Sequence, residues 1–100
     1  MAIERAREIE MTQTASLLKE RGSRYGSMED NAAVTQGLMD VVMANPAYKD
    51  LPAVHKECIH MIFHKIARIV CGDPMYDDNP RDIAGYATLL EQWINKDKLL

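Results

Sequence analysis

The residues best able to do chemistry lie between His60 and Tyr86, where basic side chains precede a loop rich in aspartate. Lys65 and Arg68 fall on one edge of a predicted helix, and a guanidinium fork beside an ammonium is a common way to hold phosphate oxygens. The same cations could instead pair with the acidic groups that follow: Asp73, Asp77, Asp78 and Asp82. The sequence therefore predicts either a phosphate-binding rim or ion pairs that staple two helices, and it leaves both open.

Carboxylates around the same stretch form a candidate metal site. Asp78 and Asp82 flank the predicted start of the last helix, and Glu57 on the preceding helix could lie across from them. Several oxygen ligands of this kind suit Mg²⁺, which commonly bridges to substrate phosphates. The structural alternative is that Asp82 completes a helix cap begun by Asn79 and lies favourably near the positive end of the helix dipole.

A predicted turn before the second helix carries Arg24, Tyr25 and Gly26. The structural interpretation is a glycine in an unusual backbone conformation. The functional interpretation places Arg24 or Tyr25 at the same cavity as the basic edge, with Asn31 as a neighbour. Tyr86 on the last helix is a further candidate for ligand contact.

Two other features of the last two helices are ambiguous. His60 and His64 are four residues apart, a spacing that metal sites use, but no HExxH motif is present and titrating surface histidines are favoured. Gly85 stands inside a helix, where glycine costs about 1 kcal/mol relative to alanine, and close approach of another helix is the favoured explanation.

Four amphipathic helices, at roughly 3–21, 28–44, 52–71 and 80–95, must position these residues. Gly22 is predicted to end the first, Ser27 to cap the second, and Pro46 to stop it. Pro52 is predicted to open the third helix and Asn79 to cap the fourth. With no strand-like alternation, the chain is predicted to be a single all-α domain over 1–100, a compact bundle of about four helices.

Composition narrows the classes of function. The 100 residues are 47% hydrophobic and 27% charged, with a net charge of −3, which is typical of a globular protein and argues against a bulk nucleic-acid binder. No apolar run approaches the roughly 18 residues of a membrane span, and the charged N-terminus lacks a signal peptide's apolar core, so we expect a cytoplasmic protein without membrane contact. Cys58 and Cys71 are expected to be reduced core cysteines. The small core favours a homodimer through a shared helix face.

Four separated pieces of the sequence, in order, carry a resemblance. They are Arg24-Tyr25-Gly26, then 65–69 with its lysine three residues before an arginine, then Asp78-Asn79, then 82–86 with its DIAGY sequence. This pattern resembles a family of small phage and prophage all-α proteins. More distantly, the chain is similar to nucleotide-modification-associated helical domains of phages and to the MazG-like nucleotide pyrophosphohydrolases.

The MazG likeness implies Mg²⁺ held by two acidic pairs. The nearest counterparts here are Glu57 with His60 and Asp78 with Asp82, so a histidine stands where an acid is expected. This departure puts catalysis in doubt. Binding of a nucleotide or another phosphate compound without hydrolysis does not require the missing acid.

The favoured functional hypothesis is a non-enzymatic phage-type accessory protein that binds a host or phage protein, for instance to counter a host defence or modulate replication. Its surface anchors would be methionine and aromatic residues: Met39, Met43, Met75, Tyr76 and Trp93. The alternative is a nucleotide-binding protein or Mg²⁺-dependent pyrophosphohydrolase, with phosphates on Lys65, Arg68 and Arg24 and magnesium on Asp78, Asp82 and Glu57. A plain structural oligomer is the third hypothesis.

Overall fold

The computed structural model of the chain describes the backbone of residues 2–98 and the side chains of residues 5, 7, 11–20 and 22–98. Over this range the protein has no strand, which confirms the all-α prediction. It consists of α1 (Ala2–Tyr25), α2 (Met28–Met43), a 3₁₀ turn (Tyr48–Asp50), α3 (Ala53–Cys71) and α4 (Asp78–Ile94). None of the described helices is both long enough and apolar enough to cross a bilayer.

Local sequence signals account for most helix ends. The Ser27 hydroxyl accepts a hydrogen bond from the Asp30 backbone N–H at 3.1 Å, so Ser27 caps α2 as predicted. Pro52, the predicted first residue of the third helix, lies in extended backbone, and α3 begins one residue later at Ala53. In contrast, α1 does not stop at Gly22 but continues to Tyr25, where Gly26 ends it with a φ of 84°. The prediction of an unusual dihedral at Gly26 is therefore confirmed.

The start of α4 differs from the predicted cap. Asp77 occupies the cap position without a side-chain hydrogen bond to the backbone of the first turn, and Asn79 lies inside that turn with only 1% of its surface exposed. Asp82 takes no part in capping either, because its carboxylate pairs with Lys65 of α3. The predicted Asn79–Asp82 cap is therefore wrong, since Asp82 pairs with α3 and the buried Asn79 side chain makes no hydrogen bond to a described group.

The packed body of the protein contains three helices. α3 lies between α2 and α4 and packs against both, whereas α1 is joined to α3 through its last turn, where the Arg24 carbonyl accepts the Asp73 N–H at 3.0 Å. The radius of gyration is 18.6 Å and the long axis is 63 Å, compared with about 13 Å for the radius of gyration of a compact 100-residue domain. The predicted compact bundle of about four helices is thus corrected to three packed helices from which α1 extends.

Two glycines allow the chain to cross itself at the junction of α1 and α3. A side-chain carbon on Gly26 would lie 2.5 Å from the Cys71 carbonyl oxygen, and one on Gly72 would collide with the Arg24 carbonyl. We call this crossing the glycine corner (Arg24–Gly26 against Cys71–Asp73). It fixes the position at which α1 leaves the body.

Few apolar side chains of the described part are buried: Met39, Cys58 and Ala67. Burial of Cys58 confirms its predicted core position, and both cysteines are free thiols. Met39 is 7% exposed, so its predicted role as a surface anchor is wrong. Polar residues share the helix interfaces with this small core: Asn31, Thr35, Lys65 and Asn79.

Candidate functional site

A cleft of about 690 Å³ lies beside the glycine corner. Its walls come from the C-terminal half of α1, the first turn of α2 and the C-terminal half of α3. We call it the α1–α3 cleft. It is lined by apolar groups and by polar or charged ones, which include Leu17, Leu18, Met28, Arg24, Tyr25, Asn31, His64 and Arg68. A volume of this order fits a ligand of nucleotide size.

Arg68 is the dominant cation of the cleft. Its guanidinium carbon lies 4.2 Å from the centroid of the Tyr25 ring, a cation–π contact that holds the planar group in place. Arg68 forms no ion pair with any described side chain. Its forked donors therefore remain free to meet an anion in the cleft.

A second arginine and a second tyrosine extend this contact. The Arg24 guanidinium lies 5.2 Å from the Tyr76 ring centroid, and the Tyr25 and Tyr76 rings pack with centroids 5.8 Å apart. Arg24 also pairs with Glu20 at 2.9 Å along α1. Tyr76 belongs to the loop between α3 and α4, and it contacts Arg24 and Tyr25 in the last turn of α1. These contacts hold α1 against that loop.

The phenol of Tyr76 stays protonated across the physiological range. It donates a hydrogen bond to Asp78 at 2.7 Å, and this bond, followed by its interaction with Tyr25, raises the pKa of Tyr76 to about 12. Tyr76 therefore acts as a hydrogen-bond donor that, together with Arg81, holds the carboxylate of Asp78, which does not line the cleft.

His64 contributes a neutral imidazole to the cleft wall. Burial lowers the pKa of His64 below its usual value, and the positive charges of Arg68, Lys65 and His60 lower it further. At neutral pH the ring therefore offers one donor and one acceptor. A bound anion would oppose the effect of the cations and raise this pKa again.

Asn31 braces the floor of the cleft. Its amide nitrogen donates to the carbonyls of Tyr25 and Ser27, which fixes the turn between α1 and α2. Its side-chain oxygen is buried without a hydrogen-bond partner among the described residues. The prediction that Asn31 neighbours Arg24 and Tyr25 at one cavity agrees with this placement.

Lys65 is not available to a ligand in the way the phosphate-rim hypothesis requires. Its ammonium lies 2.9 Å from the Asp82 carboxylate and its side chain is 10% exposed. The hydrogen bond from Lys65 is the main reason that the pKa of Asp82 lies below its usual value. For this pair the staple alternative is the better description, because the two charges join α3 to α4 and neutralise each other.

We expect Asp82→Ala to lower the urea midpoint of unfolding more than Lys65→Met does. The first change leaves a buried ammonium unpaired, whereas the second replaces it with an apolar chain of similar length. The deficit of Asp82→Ala should be complete above the ordinary pKa of 3.8 and should shrink as pH falls through the lower pKa of the folded state. Equal midpoints for the two variants at pH 7 would contradict this account.

The other acidic groups are also engaged or dispersed. Arg81 binds Asp77 at 2.8 Å and Asp78 at 3.0 Å, so this adjacent acidic pair is held by a cation of its own helix. Glu57 is exposed on α3. Within the described residues, no three side chains of the histidine, cysteine, aspartate or glutamate type come together as a metal-binding group. The proposed metal ligands Glu57, Asp78 and Asp82 are therefore not gathered into one set.

Tyr86 lies outside the cleft. With Asp82, Gly85 and Leu89 it lines a shallow groove of about 270 Å³ on α4. No atom lies within 4 Å of the position that a side-chain carbon on Gly85 would take. Among the described residues, the predicted close approach of another helix at Gly85 is therefore wrong.

The structure thus divides the predicted site residues. It brings Arg24, Tyr25 and Arg68 together in one cleft, and it places Lys65, Asp78, Asp82, Tyr86 and Glu57 elsewhere. Two features of the cleft were not predicted from the sequence: the contact of Tyr76 with this group and the apolar wall of Leu17 and Leu18. The available signal was the position of Tyr76, which is followed within two residues by the acid that orients it.

Together, the fold and the cleft define a small all-α protein with a cationic, aromatic cleft where α1 meets the helical body. The family model Domain of unknown function (DUF6378) matches residues 9–94, and the chain belongs to this family. No curated protein and no solved structure gives a significant match to the chain.

Proposed function

We propose that the protein binds a phosphate-bearing small molecule of nucleotide size in the α1–α3 cleft, as a small phage-type protein acting in the cytoplasm. The observation that carries this proposal is Arg68, a guanidinium fixed against the Tyr25 ring and paired with no described carboxylate. Glu20, the described carboxylate that lines the cleft, pairs with Arg24. A cation held in this way is preorganised for bidentate contact with phosphate oxygens.

The other walls of the cleft fit the remaining parts of a nucleotide. Leu17, Leu18 and Met28 offer an exposed apolar surface against which a base or sugar can pack. The neutral ring of His64 can donate to a phosphate oxygen. Arg24 supplies a second cation at the cleft, because its pair with Glu20 is about half exposed and such surface pairs are weak enough to exchange for a phosphate. Phosphate recognition at one end and apolar contact at the other is the arrangement that nucleotide ligands need.

Binding is a better match to this arrangement than hydrolysis. Asp82 pairs with Lys65, while Asp78 accepts from Tyr76 and Arg81. These carboxylates have their strongest partners within the protein, so a magnesium ion in this site would arrive on the nucleotide's own phosphates. We therefore propose a role in sequestering or sensing a nucleotide.

Isothermal titration of the full chain against nucleoside triphosphates, nucleoside monophosphates and inorganic phosphate, each with and without Mg²⁺, tests the proposal. We expect saturable heat with at least one nucleotide, and tighter binding for triphosphates than for monophosphates because more anionic oxygens reach Arg68 and Arg24. The proposal fails if none of the nucleotides gives heat at protein concentrations at which the chain remains folded.

A protein partner remains the second candidate, because several large apolar side chains are exposed on the body. Met28 is 81% exposed, Met75 86% and Met43 56%. Methionine is common at adaptable binding surfaces. Affinity capture from host lysate tests this function by comparing the wild-type chain with the Met75→Glu variant, which removes one exposed methionine. Capture of a host protein by wild type and its loss with Met75→Glu would support this function. Failure of wild type to capture any protein from several hosts would oppose it.

A further inference from the structure

The protein exposes more surface than a monomer of its mass. Its accessible surface is 7661 Å² at 11.3 kDa, whereas the size relation for folded monomers gives about 5,700 Å². The excess of about 1,900 Å² per chain is in the range that a homodimer interface removes from each partner. Much of the excess is a consequence of α1, which leaves the body and lies uncovered.

The uncovered helix has a stripe that fits another helix. Met11, Ala15 and Leu18 are spaced by four and then three residues, the interval of a two-helix seam. All three are exposed, Met11 at 73% and Leu18 at 64%. We call these residues the α1 stripe. In line with it, Gly22 and Tyr25 continue the same interval to the glycine corner.

The distribution of charge along α1 favours a second copy of the same helix, in the antiparallel direction, as the partner of the α1 stripe. Residues 2–12 contain three acidic and two basic residues, and residues 13–25 contain three basic and one acidic. An antiparallel second copy would place each half against the half of opposite net charge, whereas a parallel copy would place like against like. The helix is therefore electrostatically complementary to itself when reversed.

We propose that two copies of the chain pair through their α1 stripes in an antiparallel, two-fold symmetric interface. Met11 of one copy lies opposite Leu18 of the other, and Ala15 lies near the two-fold axis. Each residue of the seam meets its counterpart in the reciprocal position, as an isologous interface requires. The partner helix would run past Leu18 and so narrow the mouth of the α1–α3 cleft.

Light scattering coupled to size exclusion tests the assembly with the full chain. We expect wild type to have twice the 11.3 kDa chain mass and the Met11→Glu/Leu18→Glu double variant to have the single chain mass. Met43→Glu and Met75→Glu, which alter exposed methionines outside α1, should stay dimeric. Trp93 fluorescence shows that the body is folded in every variant. A monomeric wild type at tens of micromolar, or a dimer that the double variant leaves intact, would overturn the proposal.

The direction of pairing has a separate test. Met11→Cys and Leu18→Cys variants are mixed, oxidised and analysed by peptide mass spectrometry, with wild type as the control for Cys58 and Cys71. Antiparallel pairing predicts disulfides that join position 11 to position 18. Disulfides joining 11 to 11 and 18 to 18 would show a parallel pair, and the absence of any such disulfide would remove the interface from this face.

Discussion

Replacing Gly72 with alanine is expected to lower the free energy of unfolding by about 3 kcal/mol or more. The added methyl group would collide with the Arg24 carbonyl and the Tyr25 backbone, which cannot move without displacing α1. Gly26→Ala should have a similar effect, since it combines a clash against Cys71 with a φ of 84°. In a domain of this size, such a loss corresponds to a fall of roughly 12 °C or more in melting temperature.

Gly37→Ala and Gly85→Ala are the matched controls for this experiment. Neither position has any atom within 4 Å of the added carbon, and both lie inside helices. These variants should be as stable as wild type or more stable by up to about 1 kcal/mol, because alanine is the better helix former. Thermal unfolding followed by circular dichroism measures all four. Equal stability of Gly72→Ala and Gly37→Ala would show that the glycine corner is not the constraint described here.

Substitution of Arg68 by glutamine is expected to weaken nucleotide binding about 10- to 100-fold, the value of one charge-assisted contact. The change keeps a polar side chain of moderate length but removes the charge and the fork that lies over Tyr25. Arg68→Lys should recover only part of the affinity, because an ammonium cannot make two parallel hydrogen bonds to phosphate. Titration calorimetry with the tightest-binding nucleotide gives these values directly.

Arg81→Gln provides the control for net charge. It removes the same unit of charge from an arginine that pairs with Asp77 and Asp78, away from the cleft. We expect its affinity to stay within about twofold of wild type, because Arg81 does not line the cleft and its exposed charge is screened by salt. If Arg68→Gln and Arg81→Gln weaken binding equally, the nucleotide responds to overall charge and the α1–α3 cleft is not its site.

Sequence periodicity predicted the four helical segments well because spacing of apolar residues and capping are local properties. It failed at the end of α1, since a glycine inside a helix costs only about 1 kcal/mol and Gly22 is carried through. It also failed at the compactness of the bundle. The apolar residues of α1 are few and weakly segregated to one face, and whether such a helix packs on its own body depends on long-range geometry that no local pattern records.

The site was predictable only in part, for a related reason. The sequence indicated that cations and carboxylates would meet between α3 and α4, but it did not indicate which of them would form ion pairs with each other. Lys65 reaches Asp82 across the helix interface, which leaves Arg68, three residues further along α3, to turn toward Tyr25. Three residues on a helix correspond to about 300° of rotation, so neighbouring positions on one edge can serve different faces.

The glycine corner also bears on how this cleft could be altered. Because main-chain atoms set the crossing of α1 and α3, the shape of the frame does not depend on which side chains cover it. Leu17 and Met28 are exposed, support no buried core and lie outside the α1 stripe. These wall positions can therefore be exchanged with little loss of stability, which makes the protein a suitable scaffold for selecting new ligand specificities.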